Sequence, residues 1–242
     1  MKYSYDLHVH SCLSPCADND NTPNNIVGMA HLSGIRIMAL TDHNTAKNCP
    51  AFFEAAKRYG IVPVAGMELT TSEDIHVVCL FEELDSAMRF DEFLMSRRVL
   101  IKNRTDIFGD QLILDGNDEV IGTEEHLLPN ATQISLDELP DLIKEYDGVC
   151  FPAHIDRDAN GIVAILGTVP ASPDFRCVEI HDKDKISEYK ETYGLSDKLF
   201  IVSSDSHYLT DIDETNNFFE LKTDSDSDED IRRALFEHLR GI

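Results

Sequence analysis

The sequence predicts an α/β fold in which strands and helices alternate around a parallel sheet or barrel. Short apolar runs alternate with amphipathic segments through residues 1–81, and their connections have ordinary lengths. The runs are nearly all apolar, as in strands that are buried on both faces. Histidine and carboxylate residues repeatedly follow these runs. The length of 242 residues suits one domain of barrel type or two small ones.

Sequence signals mark the ends of the elements in the first part of the chain. Pro23 stands at the first position of a predicted helix that stops at Gly34. The run Ile35–Leu40 predicts a strand that is buried on both faces, and Gly60 closes the next helix. The predicted order is a strand at 3–9, a helix at 22–34, a strand at 35–40, a helix at 50–59, and strands at 61–68 and 75–81.

The middle of the chain departs from this alternation. An amphipathic helix at about 85–103 is followed by a predicted hairpin around Asp115-Gly116, which belongs to an insertion at about 104–132. Ser135 and Glu138 form a capping box at the start of the next helix. The remaining predicted elements are strands at 148–153, 175–180 and 199–203 and a C-terminal helix at about 226–240. We therefore expect one domain spanning residues 1–242, with a small hairpin insertion.

The composition restricts the class of protein. With 21 basic and 45 acidic side chains the formal net charge is -24, so we expect no stable binding of duplex nucleic acid, although an anionic small substrate stays possible. The six cysteines show no C-x-x-C spacing. The first residues lack an apolar signal segment, and no apolar run reaches transmembrane length. These features predict a cytoplasmic protein with reduced thiols and no membrane partner.

Candidate functional residues recur at the carboxyl ends of the predicted strands. They are His8 and His10, Asp42 and His43, Glu68, His154, and Asp205 and His207. In parallel α/β folds and barrels these strand ends form the active-site face. His76 is the exception, because it opens its predicted strand and would need a loop folded back over that face. Each residue alone has a plainer interpretation, since a single histidine beside an apolar run is more often a core residue.

Together these side chains predict a metal cluster. Histidine and carboxylate ligands without paired cysteines suit Zn²⁺, Mn²⁺ or Fe²⁺. About eight or nine ligands are too many for one tetrahedral or octahedral ion. The sequence therefore predicts two or three divalent ions that share a bridging carboxylate.

The motifs that carry these residues resemble those of the PHP (polymerase and histidinol phosphatase) superfamily. The matching segments are Asp-Leu-His-Val-His at 6–10, Leu-Thr-Asp-His at 40–43, Gly-Met-Glu at 66–68, Pro-Ala-His at 152–154 and Ser-Asp-Ser-His at 204–207. The resemblance implies a distorted seven-stranded β/α barrel, similar to a TIM barrel, with a metal cluster at its C-terminal face. It also implies a stand-alone metal-dependent phosphoesterase.

The resemblance also implies a role for each ligand. A first ion would be held by His8, His10, Glu68 and Asp205, a second by Glu68, His76 and His154, and a third by His43 and His207. The third ion needs one more ligand from the loop after His10, where this chain offers Asp18 or Cys16. We favour Asp18, because an oxygen ligand matches the rest of the site.

The predicted reaction is hydrolysis of a small phosphomonoester, such as a nucleotide, a sugar phosphate or histidinol phosphate, by a metal-activated water. Glu68, Asp205 and His207 would be catalytic, with Asp205 or His207 relaying a proton. Arg157 either binds phosphate or pairs with Asp156 or Asp158. His181 also ends a strand and could touch substrate.

Three other functions stay open at this stage. A nuclease-like phosphodiesterase would prefer diesters over monoesters. A catalytically silent binding module would keep the barrel, although the apparently complete first and second ligand sets argue against it. A related hydrolase of C–N bonds would often use a carboxylated lysine as its bridging ligand, a role that Glu68 takes here.

Overall fold

The computed structural model describes residues 1–212 and 217–242 and shows an α/β fold. The strands are β1 (Lys2–Asp6), β2 (Ile37–Leu40), β3 (Val62–Thr70), β4 (His76–Phe81), β5 (Leu112–Leu114), β6 (Val120–Thr123), β7 (Gly148–Pro152), β8 (Cys177–Glu179), β9 (Leu199–Ile201) and β10 (Phe218–Glu220). Six of them form one sheet in the order β10-β1-β2-β3-β4-β7. Two smaller sheets pair β5 with β6 and β8 with β9.

Strand β4 runs against its neighbours, so the prediction of an entirely parallel sheet was wrong at this position. β1, β2 and β3 are parallel, whereas β4 pairs antiparallel with both β3 and β7. Only residues 71–75 connect β3 to β4, and a parallel crossover needs a dozen or more residues. Because β4 is reversed, its first residue His76 lies opposite Thr70, at the end of the sheet where β3 finishes. No loop has to fold back to deliver His76.

Helices cover the sheet. They are α1 (Pro23–Leu32), α2 (Cys49–Tyr59), α3 (Leu84–Met95), α4 (Thr105–Phe108), α5 (Leu139–Lys144), α6 (Ile162–Leu166), α7 (Ile186–Thr192) and α8 (Asp228–Arg240), with 3-10 turns at Lys183–Lys185 and Leu209–Asp211. Thr22 caps α1 by accepting a hydrogen bond from the backbone of Asn25. α3 ends earlier than predicted, because the chain beyond it forms extended bridges from Arg98 to Thr132 and from Lys102 to His126.

Two apolar clusters hold the sheet between its layers. Along β2, Met38 and Leu40 pack into the cluster that also contains buried residues of α1 and α2, whereas Ile37 and Ala39 pack into the cluster that contains α8. β2 is therefore buried on both faces, as its apolar sequence predicted. Within the described residues, no helix combines the length and apolar character that crossing a membrane requires.

Backbone hydrogen bonds place β8 and β9 beside the ends of the main sheet. The amide of Ile155, just after β7, donates to the carbonyl of Glu179 at the end of β8 (2.9 Å). Val9 and Ser206 form a parallel bridge, and the amide of His10 donates to the carbonyl of Ser206 (3.0 Å). The segments that follow β1, β7 and β9 consequently meet at one edge. The predicted hairpin is confirmed as the antiparallel pair β5–β6.

Gly66 is expected to be essential for the packing of β3 on β4. A methyl group at this position would lie 2.7 Å from the carbonyl oxygen of Cys79 and 2.8 Å from a methyl carbon of Leu80. Overpacking of this kind costs about 1–3 kcal/mol, so Gly66→Ala should lower the free energy of unfolding by that amount in urea denaturation. Gly122→Ala, whose nearest neighbour lies at 3.7 Å, serves as the control. Equal stability of the two variants would contradict the steric argument.

Candidate metal centre

The structure brings eight of the predicted site residues together where the central strands end. They are His8, His10, His43, Glu68, His76, His154, Asp205 and His207. Six of these side chains line or approach the floor of an open cleft of about 240 Å³, while His8 and His10 lie beneath it with no exposed surface. The cleft is also lined by Cys16, Arg157, Ala159 and Asn160.

The carboxylate of Glu68 is the centre of this cluster. Its Oε1 lies 2.8 Å from Nδ1 of His76 and 3.0 Å from Nε2 of His154. Its Oε2 lies 3.0 Å from Nδ1 of His43 and 3.4 Å from Nε2 of His10. Burial alone would raise the pKa of Glu68, but the surrounding imidazoles, His76 foremost, hold that pKa well below its usual value. Glu68 is therefore an anion with both oxygens directed at nitrogen ligands.

His8, His10 and Asp205 form a set that fits a divalent cation. Nε2 of His8 lies 3.3 Å from Oδ1 of Asp205, Nε2 of His10 lies 3.2 Å from it, and the two nitrogens are 3.1 Å apart. Oδ1 of Asp205 is buried and makes no hydrogen bond. Metal–nitrogen bonds of about 2.0–2.1 Å place tetrahedral ligands at about this spacing. The ligand atoms and the unpaired oxygen both suit a metal ion.

The pKa values of His8 and His10 also indicate that the site favours a positive charge. Burial opposes protonation of both rings. Nearby carboxylates nevertheless raise the pKa of His8 well above its usual value, with Glu179 contributing most, and the carboxylates of Asp205 and Glu68 raise the pKa of His10 to about 9. The site thus attracts a cation, for which a proton is the simplest substitute.

Glu179 orients the first ligand and was missed by sequence reasoning. Its side chain is buried, and its Oε1 lies 2.9 Å from Nδ1 of His8 and 3.0 Å from the amide nitrogen of His154, which donates to it. A carboxylate behind a histidine fixes the ring so that the other nitrogen points to the metal. The signal in the sequence was its position at the end of a strand, Val178-Glu179-Ile180, where only His181 was considered.

Asp42 and Ser14 orient the second ligand. Oγ of Ser14 donates to Oδ1 of Asp42 (2.7 Å) and lies 3.0 Å from Nδ1 of His10, so it accepts the proton of that nitrogen. The same oxygen accepts from the amide of His43 (3.1 Å). Asp42 in turn accepts from the amide of Ser11 (2.8 Å). Asp42 belongs to the Leu-Thr-Asp-His motif but was not predicted to have this supporting role.

Within the residues that the structure describes, three groups of side chains have ligand atoms close enough to hold an ion. They are His8, His10 and Glu68; His43, Glu68 and His76; and His10, His43 and His207. The second group contains His43 where the resemblance implied His154, although His154 also touches Glu68. Burial lowers the pKa of His43 to about 3 and, together with the charge of His10, lowers that of His207 to about 4. Both rings are neutral, as metal-binding histidines must be.

The structure does not place Asp18 in the cluster. Its side chain is exposed, and its Oδ1 accepts a hydrogen bond from the amide of Asp20 (2.8 Å), which closes a turn on the surface. Cys16, two residues earlier, lines the cleft instead. The backbone amide of Asp18 nevertheless donates to the carbonyl of His207 (3.0 Å). The choice of Asp18 over Cys16 as the loop ligand stays a prediction.

Arg157 takes a partner that neither sequence alternative included. Its Nη1 pairs with Oδ2 of Asp205 rather than with Asp156 or Asp158, and its side chain is 38% exposed at the rim of the cleft. His181 is exposed and does not line the cleft.

Two residues of the cluster have an unusual backbone conformation. His154 has φ 26° and Asp205 has φ 50°, in the left-handed region that residues other than glycine rarely adopt. Both follow strands, β7 and β9, whose direction would otherwise carry the chain past the site. Strain of this kind is typical of functional sites.

Comparison with known families shows the family to which the chain belongs. The family model of the PHP domain matches residues 6–192, more than half of the chain. The chain belongs to the PHP domain family. Phosphoesterases of this family depend on metal ions, and the histidine and carboxylate cluster contains side chains that are able to bind them.

Curated relatives of this PHP domain include nucleic-acid enzymes. A 5'-3' exoribonuclease of Haemophilus influenzae is 34% identical over 116 residues, which is 46% of this chain and 40% of that protein. An error-prone DNA polymerase of Symbiobacterium thermophilum is 36% identical over 74 residues, 31% of this chain and 7% of that protein. The chain spans less than half the length of these relatives.

Solved structures share the fold over the whole chain. Endonuclease Q from Pyrococcus furiosus superposes with a TM-score of 0.68 at 15% identity, over 100% of this chain and 56% of that one. A protein from Bifidobacterium adolescentis assigned as a metal-dependent phosphoesterase gives a TM-score of 0.59 at 16% identity, over 96% of each chain. At these identities the comparison shows the fold.

The prediction that this chain binds no duplex nucleic acid is wrong as an inference from net charge. Endonuclease Q, with the same fold, has been solved in complex with a 27-mer duplex carrying an abasic lesion at the active site (TM-score 0.62, 15% identity, 100% of this chain and 57% of that one). Repulsion from distant surface carboxylates is screened within about 8 Å at physiological salt. Divalent cations, if bound in the cleft, would also reverse the local sign of the charge.

Replacing Glu179 should weaken metal binding. In Glu179→Gln, the side-chain NH₂ group would replace one of the carboxylate oxygens that now face two donors, Nδ1 of His8 and the amide of His154. Because two donors cannot form a hydrogen bond with each other, the ring of His8 should lose its fixed orientation. Loss of such an outer partner costs about 10–100-fold in metal affinity, measurable by competition with a fluorescent chelator. Glu220→Gln, on an exposed edge strand, is the control. An affinity within twofold of the parent would show that Glu179 does not orient His8.

Proposed function

We propose that this PHP domain is a metal-dependent phosphodiesterase that hydrolyses the backbone of nucleic acids. The observation that carries the proposal is the buried Glu68 carboxylate in contact with histidines from several strands at the floor of an open cleft. The relationship to an exoribonuclease and the fold shared with Endonuclease Q support a nucleic-acid substrate.

A second candidate function is hydrolysis of phosphomonoesters such as nucleotides, sugar phosphates or histidinol phosphate. The volume of the cleft, about 240 Å³, favours it, since cavities for larger ligands measure about 300–1,000 Å³. A cleft of this size accommodates roughly one nucleotide. It therefore fits a small monoester or the terminal nucleotide of a strand.

The ligand groups suggest where two or three divalent ions, Zn²⁺, Mn²⁺ or Fe²⁺, would lie. We assign His8, His10, Glu68 and Asp205 to the first ion, and Glu68, His76 and His154 to the second. His43 and His207 would hold a third ion. When bound, such ions supply an acidic water as nucleophile and positive charge for the phosphoryl oxygens.

The side chains of the cleft would complete the reaction. Glu68 contacts the histidines at the floor of the cleft and fixes the positions of their rings. The ring of His207 is held through Nδ1, which donates to the backbone carbonyl of Asp205 (2.8 Å), leaving Nε2 to face the cleft. His207 is neutral at physiological pH because its pKa is lowered to about 4. We propose that Asp205, or His207 if its Nε2 holds no ion, moves the proton between the nucleophile and the leaving oxygen.

Arg157 is proposed to bind the phosphate. Its guanidinium reaches the rim of the cleft and can present two parallel N–H groups to phosphate oxygens. Its ion pair with Asp205 holds it beside the reacting position until substrate enters.

We further propose that residues 1–242 form one PHP-type domain with seven strands in a distorted barrel. The bridge between Val9 and Ser206 and the hydrogen bond from Ile155 to Glu179 support this, because they join β8 and β9 to the two sides of the main sheet.

A substrate panel tests the proposed reaction. With Mn²⁺ or Zn²⁺, the protein should hydrolyse bis(p-nitrophenyl) phosphate and oligonucleotides, and chelator should abolish both activities. Glu68→Gln should lower kcat/KM by at least about a hundredfold, because even outer partners of a ligand contribute 10–100-fold. Exposed Glu54→Gln is the control. A clear preference for p-nitrophenyl phosphate would favour the second candidate, and no turnover by metal-loaded protein would exclude both.

The role of Arg157 predicts a division between substrate and metal binding. Arg157→Ala should raise KM for bis(p-nitrophenyl) phosphate about tenfold or more, the loss expected for a charge-assisted hydrogen bond of about 1.5–3 kcal/mol, while bound metal stays constant by atomic absorption. Arg89→Ala, which removes an exposed helix-surface arginine, is the control. Lost metal with an unchanged KM would instead make Arg157 a structural partner of Asp205.

A further inference from the structure

The exposed apolar surface of this chain is concentrated in one segment. Of the sixteen large apolar side chains that are exposed in the described residues, eight lie within residues 95–121, among them Leu100 (60% exposed), Ile101 (53%) and Phe108 (46%). Scattered exposed apolar residues are ordinary, whereas adjoining ones mark a binding surface, and Val99, Leu100 and Ile101 are exposed side by side along the chain. The segment includes the turns after α3 and the short helix α4.

One stretch within this segment, residues 97–104, is the most basic part of an acidic chain. Residues 97–104 contain four basic side chains and no acidic one, which no other eight-residue window of the sequence equals. Arg97 pairs with Glu138, and Arg98 is buried against Glu124. Lys102 is exposed and forms no ion pair in the described part of the chain, and Arg104 is exposed and pairs with the exposed Asp106 (2.7 Å). Two cations therefore face solvent next to the apolar surface.

Backbone contacts place this segment beside the cleft. The side-chain amide of Asn103 donates to the carbonyl of Gly109 (2.9 Å). A methyl group built on Gly109 would lie 2.8 Å from the carbonyl oxygen of Pro15, so the two backbones touch. The next residue, Cys16, lines the cleft. Gly109, the last residue of the segment 99–109 that we name the rim segment, thus lies against the loop that lines the cleft.

We propose that the rim segment binds a single nucleic-acid strand whose terminal or scissile nucleotide occupies the metal cleft. Lys102 and Arg104 would neutralise backbone phosphates, Phe108 would stack on a base, and Ile101 would cover the sugar face. Because the cleft has room for about one nucleotide, the rest of a strand must lie on the neighbouring surface. This inference rests on the proposed function and specifies its substrate as an oligonucleotide rather than a mononucleotide.

Charge complementarity favours this occupant over a second copy of the chain. A symmetric dimer through the rim segment would bring Lys102 and Arg104 toward their own symmetry mates, and each copy carries a net charge of -24. A nucleic-acid strand offers phosphates to the cations and flat bases to the apolar side chains. Such a strand would contact both the cations and the apolar side chains of the rim segment.

Binding and hydrolysis can be tested separately. Fluorescence anisotropy with labelled single-stranded oligonucleotides of three and twelve nucleotides, on protein treated with chelator, should show tighter binding of the longer strand. Lys102→Glu/Arg104→Glu should raise the Kd of the twelve-mer about tenfold and flatten the slope of log Kd against log salt by about two, one for each lost phosphate contact. Phe108→Ala should weaken binding with no change in that slope.

A matched control keeps the change in net charge equal. Lys144→Glu/Lys222→Glu also reverses two exposed lysines, both outside the rim segment, and should leave the Kd of the twelve-mer within twofold. With metal, the ratio of kcat/KM for the twelve-mer to that for bis(p-nitrophenyl) phosphate should fall about tenfold in the rim variant only.

Several results would overturn the inference. Equal Kd for the two strand lengths, or equal effects of the rim and control variants, would show that the rim segment does not bind the strand. A dimer in light scattering that Ile101→Glu dissociates would show that a second copy covers the surface. If bis(p-nitrophenyl) phosphate is not hydrolysed while the rim variants still lose oligonucleotide binding, the proposed function fails and the binding surface stands.

Discussion

The structure depends on one constraint, the burial of the Glu68 carboxylate at the end of the sheet. A buried anion is costly unless it is paired, and here histidines that follow different strands surround it. Their rings in turn need partners, which Glu179, Asp42 and Ser14 provide from behind. The strands therefore have to end at one place, and the sheet has to curl until they do.

Much of the site was predictable because metal ligands repeat at strand ends within recognisable motifs. His8, His10 and His154 are brought together as their positions predicted, although their roles at the metal are proposals. Supporting residues were harder to predict, since Glu179 acts through His8 and carries no motif of its own. Asp18 shows the other limit, because the direction in which a loop side chain turns depends on the packing of the whole loop.

The fold shows a similar division between local and distant information. Apolar runs, Pro23 and the Asp-Gly turn predicted most elements and the β5–β6 hairpin, because these signals act within a few residues. The antiparallel direction of β4 follows from the short connection between β3 and β4, which the prediction did not take into account. The net charge led to a wrong prediction about duplex nucleic acid. A sum of -24 over the chain does not show the basic stretch at residues 97–104.

The reversal of β4 also bears on how the site is assembled. Glu68 and His76 meet through a short hairpin, a contact that is local in the chain and closes at low entropic cost. Asp205 reaches His8 only when segments from opposite ends of the sequence come together. One half of the cluster can therefore form early in folding, whereas the other waits for the complete chain. The complete cluster is consequently confined to fully folded molecules, and a partly synthesised chain carries histidines without a finished centre.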